Sequence, residues 1–361
     1  MILPTTAPKP PAVGSGLPSL LDSQAEPAAL DAGWRQWVAE QRLRNCTPES
    51  MLVTMTGAGL HPAVARRAIL DIESDPVFLA ARRMQQLHRK LESVVGNLQK
   101  VWELRPGYAA VERIPEPPFD EFVERYVVGC RPVVLTDVTR DWPAMKRWSP
   151  ADLRQRFGHL DVEVQAERSA DPRFEENKLA HRRRVLLRDF VDLVVQGGPS
   201  NDHYLTANNE LLRQPDFAPL LADIGSLPRV CDRARLPEAS SFWFGPAGTL
   251  TPLHHDTLML FHTQVVGRKR WRFISPLQTP RLYNHHNVFS AVNLDQPDFH
   301  RHPDLAGVQV LDVIAQPGDT VFLPLAWWHQ VSALDVSLSF SYSNLALPNN
   351  YIYNNPDIRD W

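Results

Sequence analysis

Cysteine is scarce in this chain, and its few cysteines stand far apart. Cys46, Cys130 and Cys231 are the only three in 361 residues, and none belongs to a CxxC pair. This spacing argues against a disulfide framework and against a zinc site built from cysteine. Unpaired thiols are typical of a reducing compartment, so we expect a cytoplasmic protein.

The sequence also lacks long apolar runs and a strong charge of either sign. No run of about 18 apolar residues occurs, so nothing is predicted to span a membrane. The N-terminal residues have neither the basic start nor the apolar stretch of a secretory signal. The net charge of -3 gives no general attraction to nucleic acid, and we expect no nucleic-acid partner.

Proline, in contrast, is abundant. The 32 prolines favour loops and corners between strands over a helical bundle. Residues 1–27 are rich in Pro, Ala, Ser and Gly and carry too few large apolar groups to offset the entropy of ordering, so we expect a disordered tail. Helical periodicity over 28–107 predicts an α-helical region, and the change in pattern after it predicts a second domain over 108–361.

One predicted helix carries a regular apolar stripe. Ser74-Asp75-Pro76 is a typical helix start, and apolar residues then recur at alternating steps of three and four. The residues of this stripe are Met84, Leu87, Leu91, Val94, Leu98 and Val101. We expect the stripe to pack against the chain's own helices; the alternative is a homodimer contact through these N-terminal helices.

Short strands dominate the second half of the sequence. Turn sequences such as Gly245-Pro-Ala-Gly248 and Gln316-Pro-Gly-Asp319 separate them. Many short strands with such corners predict a barrel or a sandwich. The expected fold is therefore mainly β with flanking α-helices, preceded by the α-helical N-terminal region.

The residues that point most directly to chemistry lie in Thr251-Pro-Leu-His254-His-Asp256. Residues two apart on a strand face the same side, so His254 and Asp256 are predicted to point together and His255 to point away. His329 follows a predicted strand end far downstream and is the best candidate for a third ligand. Two histidines and a carboxylate on one face of an iron ion leave open the positions that oxygen chemistry requires.

Other histidines compete for a metal role. His285, His286, His300 and His302 lie in a loop rich in Asn, Asp and Pro, where solvated histidines are the usual explanation. His262 lies on the strand that follows Asp256. We expect it to line the cavity without binding the metal.

Lys269 shares a strand face with apolar residues, where a lysine is costly unless it meets an anion. We interpret Lys269 as a carboxylate-binding residue inside the barrel; the alternative is a lysine that reaches solvent at the rim. Thr251 and Tyr204 are candidate hydroxyl donors to the same carboxylate. The alternating row of Ser337, Ser339 and Ser341 places small polar groups on one face of the last strand.

Three stretches together resemble the JmjC or cupin-like class of 2-oxoglutarate oxygenases, and most closely its small protein hydroxylases. They are GPAGTLTPLHHD at 245–256, QVVGRKRWRFISP at 264–276 and QPGDTVFLPLAWWH at 316–329. The likeness runs from residue 109 to 345 and leaves the helical N-terminal region outside it. It implies a double-stranded β-helix (jelly-roll) barrel.

The resemblance also implies the cofactors and the residues that hold them. Fe(II) is expected on His254, Asp256 and His329, with 2-oxoglutarate as cosubstrate and O2 as oxidant. By the same resemblance Lys269, Thr251 and Tyr204 contact the distal carboxylate of 2-oxoglutarate.

Two positions depart from the family pattern. The asparagine that often follows the ligand aspartate by four residues is Leu260 here. The asparagine of the last strand is Ser341, or else Asn344 takes its place. Both departures fall near the metal-binding end of the cosubstrate, so the contacts to 2-oxoglutarate are predicted to differ in detail.

The predicted reaction is hydroxylation of an unactivated C–H bond in a protein, peptide or amino-acid-like substrate. Removal of an N-methyl group uses the same chemistry, but no chromatin-reader module or zinc cluster accompanies the predicted barrel. A second alternative is a cupin that binds a metal or ligand without turnover. A third is a peptide-binding scaffold that recruits its partner through the helical region.

Overall fold

Helices open the described part of the chain, which comprises residues 30–207 and 209–351 of the computed structural model. They are α1 (Ala32–Leu43), α2 (Pro48–Gly57), α3 (Pro62–Ser74) and α4 (Pro76–Trp102). The predicted start of α4 is confirmed, since Asp75 Oδ1 accepts the backbone N–H groups of Val77 and Phe78. The predicted tail at 1–27 lies outside the described residues.

The described chain divides into two compact units, 30–94 and 95–351. Helices α1, α2 and α3 build the core of the first unit around Trp34, Trp37, Met51 and Met55. The two indole rings meet edge to face at 5.2 Å. The boundary near residue 107 that the sequence indicates stays a prediction.

The apolar stripe of α4 does not have the predicted environment. Each of its six residues, Met84 to Val101, is between 48% and 67% exposed. The expectation that this stripe packs against the chain's own helices is therefore wrong for the described residues. Heptad spacing groups these residues on one face of the helix but carries no information about what covers that face.

Short elements lead from α4 to the main sheets. They are β1 (Glu112–Ile114), α5 (Phe119–Phe122), β2 (Val133–Leu135), α6 (Ala144–Arg147), α7 (Pro150–Phe157), β3 (Asp161–Gln165), β4 (Arg182–Leu186), α8 (Leu187–Gln196) and α9 (Ala218–Ala222). A π-helical turn at Val123–Val128 directly follows α5, and a sequence pattern of apolar residues does not reveal it. Single 3₁₀ turns occur at Arg168–Ala170, Leu211–Arg213, Pro215–Phe217, Arg233–Arg235, Pro276–Arg281 and Pro303–Gly307.

Ten further strands complete the second unit. They are β5 (Ser240–Gly245), β6 (Leu250–His254), β7 (Leu260–Val266), β8 (Lys269–Ile274), β9 (Asn284–His285), β10 (Phe289–Ser290), β11 (Leu311–Ala315), β12 (Thr320–Leu323), β13 (Trp328–Ala333) and β14 (Ser337–Tyr342). Phe, Ser, Leu and Val are their commonest residues, and the apolar ones suit strands with at least one packed face.

Two six-stranded sheets result, with the orders β1-β2-β12-β7-β14-β5 and β11-β8-β13-β6-β10-β9. All pairs are antiparallel except β1 with β2. Consecutive strands alternate between the sheets in part of the chain, as in a jelly roll. The predicted double-stranded β-helix fold with flanking helices is confirmed. None of the helices in the described ranges is long and apolar enough to cross a membrane.

Candidate metal centre and anion pocket

The three predicted metal ligands come together in the second unit. His254 ends β6 and lies opposite His329 of β13 in the strand register. Their ring centroids are 4.1 Å apart, and Asp256 Oδ2 is 3.8 Å from His329 Nε2. One candidate ligand atom from each residue lies within 4.8 Å of the other two, so the three are close enough to share one ion.

Asp256 reaches this cluster in a way that the strand pattern did not predict. Strand β6 ends at His254, so Asp256 lies just beyond it in the following turn, and the expectation of one strand carrying both ligands is wrong in this detail. The neighbouring strand β10 is only two residues long, which leaves little ladder for β6 to extend along. Instead, the Asp256 carbonyl accepts the N–H of Ala326, which ties this turn to the segment before His329.

Backbone carbonyls fix the orientation of both histidine rings. His254 Nδ1 lies 2.8 Å from the carbonyl oxygen of Pro252, and His329 Nδ1 lies 3.0 Å from that of Trp327. A carbonyl oxygen only accepts, so each Nδ1 carries the proton and donates it. Each Nε2 therefore keeps its lone pair, which is the form that binds a metal.

The electrostatics of the cluster favour a bound cation. Burial lowers the pKa of His329 far below its ordinary value, which keeps the ring neutral. Burial raises the pKa of Asp256. A carboxylate in such a place needs a positive partner. Two imidazoles and one carboxylate with open positions suit non-haem Fe(II), so the residues present fit the predicted ion.

Lys269 lies in the same cavity and is almost fully buried, with 1% exposure. Its Nζ donates to Tyr204 Oη at 3.0 Å and to Ser339 Oγ at 2.8 Å, and it lies 5.4 Å from the centre of the Trp243 ring. Desolvation lowers the pKa of Lys269 to about 7. This burial makes the alternative of a solvated lysine at the rim wrong. No carboxylate in the described ranges pairs with the ammonium group.

The cavity itself has a volume of about 560 Å3 and lies between the two sheets. The predicted residues Thr251, Tyr204 and Ser341 all line it. Thr251 is half-buried on β6, whereas Ser341 on β14 accepts a hydrogen bond of 2.7 Å from Trp243 Nε1. Burial raises the pKa of Tyr204, so its hydroxyl stays protonated and is available as a donor.

The two departures from the family pattern have separate outcomes. Leu260 begins β7 and lines the cavity, so an apolar side chain stands where the family often has an amide. Asn344 follows β14 and donates its amide to the Asp232 carbonyl at 2.7 Å. It is absent from the cavity wall, whereas Ser341 of the last strand lines it.

The remaining histidines differ in their surroundings. His255 packs against the ring of Trp328 at 4.5 Å, whereas its neighbours His254 and Asp256 belong to the candidate cluster. His285 pairs with Glu176 at 2.9 Å. His302 is 7% exposed and packs on Tyr283, so the prediction that it is solvated is wrong. His262 lines the cavity, as expected.

Three residues in or beside the cavity were given no role from the sequence. Ser339 accepts a hydrogen bond from Lys269, and Trp243 contacts both Lys269 and Ser341. Trp271 stacks on His329 with ring centroids 5.7 Å apart. Ser339 belongs to the alternating serine row, so its face was predictable, whereas the roles of the two tryptophans depend on contacts between different strands.

The barrel and the candidate metal centre inside it are typical of a cupin. Residues 119–357 match the family model described as Cupin-like domain, so the chain belongs to that family. This confirms the family that the three motifs predicted.

Curated relatives carry enzyme names. Over 242 residues the chain is 31% identical to lysine-specific demethylase 8 of Xenopus tropicalis, covering 64% of this chain and 52% of that protein. It is 27% identical over 252 residues to the human bifunctional peptidase and (3S)-lysyl hydroxylase, covering 62% and 80%. It is 26% identical over 272 residues to an arginine-specific demethylase of Arabidopsis thaliana, covering 64% and 56%. The chain thus spans about half the length of the frog and plant relatives.

Proposed function

We propose that this protein is an Fe(II)- and 2-oxoglutarate-dependent oxygenase that hydroxylates an unactivated C–H bond in a protein or peptide side chain. One observation carries the proposal. A His–Asp–His cluster and a buried lysine without a carboxylate partner in the described ranges share one cavity. The first fits a metal with open positions, and the second fits the anionic end of a dicarboxylate.

The chain's own residues have distinct roles in this reaction. His254, Asp256 and His329 hold the metal, and the carbonyls of Pro252 and Trp327 keep the two imidazoles correctly turned. Lys269 neutralises the distal carboxylate, with Tyr204 and Thr251 as hydroxyl donors beside it. Ser341 lines the same wall.

When bound, Fe(II) and 2-oxoglutarate supply the oxidising power: O2 is consumed, 2-oxoglutarate loses CO2 to become succinate, and one oxygen atom enters the substrate C–H bond. The protein's contribution is to place the reactants and to exclude water. The aromatic wall formed by Trp243 and Trp271 serves the second purpose.

The test is succinate formation by the purified protein with Fe(II), 2-oxoglutarate and a peptide library. Wild type is expected to form succinate, and His254→Ala and Asp256→Ala are expected to abolish it. Lys146→Met, which changes an exposed lysine, is the control and keeps full activity. Turnover that persists in both ligand variants contradicts the assignment.

The names of the relatives support a side-chain substrate and also a second candidate reaction. One relative is named a lysyl hydroxylase, and two are named lysine- and arginine-specific demethylases. Mass spectrometry separates the two reactions, since hydroxylation adds one oxygen atom to the peptide and demethylation removes a methyl group and releases formaldehyde. A metal-binding cupin without turnover is the outcome if neither product forms although the metal binds.

We also propose a homodimer through α4. Its exposed stripe, Met84 to Val101, has the spacing of a coiled-coil seam. Leu87→Glu with Leu91→Glu is expected to halve the mass measured by sedimentation. Gln86→Glu with Ser93→Glu places the same charge on exposed positions outside the stripe and leaves the mass unchanged. A mass unaffected by the leucine variants rejects the dimer.

For its location, we propose the cytoplasm. All three cysteines are free thiols, which fits a reducing compartment. Cell fractionation with an antibody to the protein tests this, and recovery in a secreted fraction contradicts it.

A further inference from the structure

His262 is a polar residue whose position the proposed function does not yet explain. It lies on β7, opposite Ser341 of β14, and is 3% exposed. Its Nε2 is buried and has no hydrogen-bond partner among the described residues. Leaving such an atom unpaired carries a desolvation penalty, whereas a leucine or phenylalanine would fill the same space without that penalty.

Aromatic contacts locate His262 between the candidate metal centre and the buried Lys269. Its ring meets Trp271 at 4.9 Å, and Trp271 stacks on the metal ligand His329. On its other side the ring meets Trp243 at 6.0 Å, and Trp243 lies 5.4 Å from Lys269 Nζ. A molecule that reaches from the metal to Lys269 therefore passes along the wall to which His262 belongs.

The same wall contains a second buried donor without a partner. Trp271 Nε1 makes no hydrogen bond within the described ranges. Two unpaired nitrogen atoms, on rings whose centroids are 4.9 Å apart, indicate that an oxygen-rich ligand belongs at this wall, because buried polar groups in proteins are normally paired. Burial and the charge of Lys269 lower the pKa of His262, so its ring is neutral and keeps a single N–H to donate.

We propose that His262 is a positioning residue that donates a hydrogen bond to the distal carboxylate of 2-oxoglutarate, next to Lys269. This inference rests on the proposed function. Lys269 supplies the positive charge, and His262 fixes the orientation of the carboxylate. An ammonium group binds anions from many angles, whereas an imidazole N–H donates along one direction. A cosubstrate of the right length is thereby distinguished from other keto acids.

The first test is calorimetric binding of 2-oxoglutarate to the protein loaded with Mn(II), which avoids turnover. His262→Leu keeps a similar volume without a donor and is expected to weaken binding roughly 10- to 100-fold. His262→Gln retains an N–H donor and is expected to recover most of the affinity. Thr263→Val is the matched control, because Thr263 is the next residue on β7, is equally buried and lies outside the cavity wall.

A keto acid without the distal carboxylate, 2-oxopentanoate, identifies the group that His262 contacts. Wild type and His262→Leu are expected to bind it equally weakly. An equal loss of affinity for both keto acids in His262→Leu overturns the assignment to the distal carboxylate.

Thermal unfolding of the metal-free protein separates a binding role from a purely structural one. His262→Leu is expected to unfold at the same temperature as wild type or a higher one, because an unpaired buried nitrogen has been removed. Full 2-oxoglutarate affinity in His262→Leu overturns this inference alone. A wild-type protein that binds Mn(II) but no 2-oxoglutarate overturns the proposed function and this inference with it.

Discussion

Replacing Lys269 by methionine is expected to stabilise the ligand-free protein while abolishing its affinity for 2-oxoglutarate. The lysine is buried with two hydroxyl groups and two aromatic rings around it and has no carboxylate partner in the described ranges. Methionine has a similar length and no charge. The substitution therefore removes the cost of burying a charge from the ligand-free protein. It also removes the ion pair with 2-oxoglutarate from the complex.

The size of this gain in stability follows from the pKa of Lys269. Its fall from 10.5 to about 7 corresponds to roughly 5 kcal/mol of cost for burying the charged form. Removing the ammonium group leaves the hydroxyl groups of Tyr204 and Ser339 without their partner, at about 1–2 kcal/mol each. At pH 6 the variant is therefore expected to be more stable by about 1–3 kcal/mol.

The pH dependence of this difference has a definite sign. The folded-state pKa of Lys269 is lowered by desolvation, so below pH 7 the lysine is charged in both the folded and unfolded states and its burial cost is fully present. Above pH 7 the folded protein releases the proton while the unfolded chain keeps it, and wild type gains about 1.4 kcal/mol per pH unit. Between pH 7 and pH 9 the advantage of the variant is expected to fall by roughly 3 kcal/mol and to reverse.

Urea denaturation at pH 6 and pH 9 measures both free energies of unfolding, and calorimetry measures binding of 2-oxoglutarate. Lys146→Met, on the surface, is the control and is expected to change neither. The reasoning is refuted if Lys269→Met is less stable than wild type at pH 6, or if it binds 2-oxoglutarate with unchanged affinity.

Three further predictions concern stability. Asp223 accepts hydrogen bonds from Arg147, Arg156 and Trp148. Burial raises the pKa of this carboxyl group, but these hydrogen bonds outweigh burial and lower it. Asp223→Ala is therefore expected to lower the free energy of unfolding at pH 7, measured by urea denaturation, by about 3–5 kcal/mol. That difference should shrink as the pH falls through the pKa of the carboxyl group, and a loss that does not depend on pH contradicts the ion-pair explanation. Met55 is fully buried in the first unit, so Met55→Ala is expected to cost about 2–5 kcal/mol, and a loss below this range indicates that the helices readjust around the gap. Mn(II) at 100 times its dissociation constant is expected to stabilise wild type by about 2.7 kcal/mol but not His329→Ala, and equal thermal shifts in both exclude His329 as a ligand.

Local sequence patterns predicted the fold and the candidate ligands because both depend on short-range rules. A helix cap such as Asp75 acts within three residues, and the structure has it as predicted. The Gly/Pro corners separate strands and predicted a barrel or a sandwich, and the family resemblance implied the jelly roll. The candidate triad was identified because residue type restricts metal ligands strongly, and His254 and His329 lie opposite each other in the register.

Other features could not be predicted because they depend on contacts between residues that are distant in the sequence. The exposure of the α4 stripe is one case, since spacing alone does not say whether a face is covered. The burial of His302 is another case, because Tyr283 covers this residue although the loop has a polar sequence. Ser339 lay in a recognised row, but nothing in the sequence singled it out as the partner of Lys269.

The residues proposed for the reaction and the residues at the rim of the cavity lie on different parts of the fold, which makes the reaction easier to predict than the substrate. The candidate metal ligands and Lys269 lie on or directly beside paired strands of one sheet, where register fixes their spacing. The rim of the same cavity includes Glu175, Glu210 and Arg213, which lie outside the regular strands. Loops of this kind vary without disturbing the barrel, and binding specificity commonly lies in them. Substrate choice is therefore expected to change with exchanges at the rim, whereas changes to the triad or Lys269 are expected to remove turnover for every substrate alike.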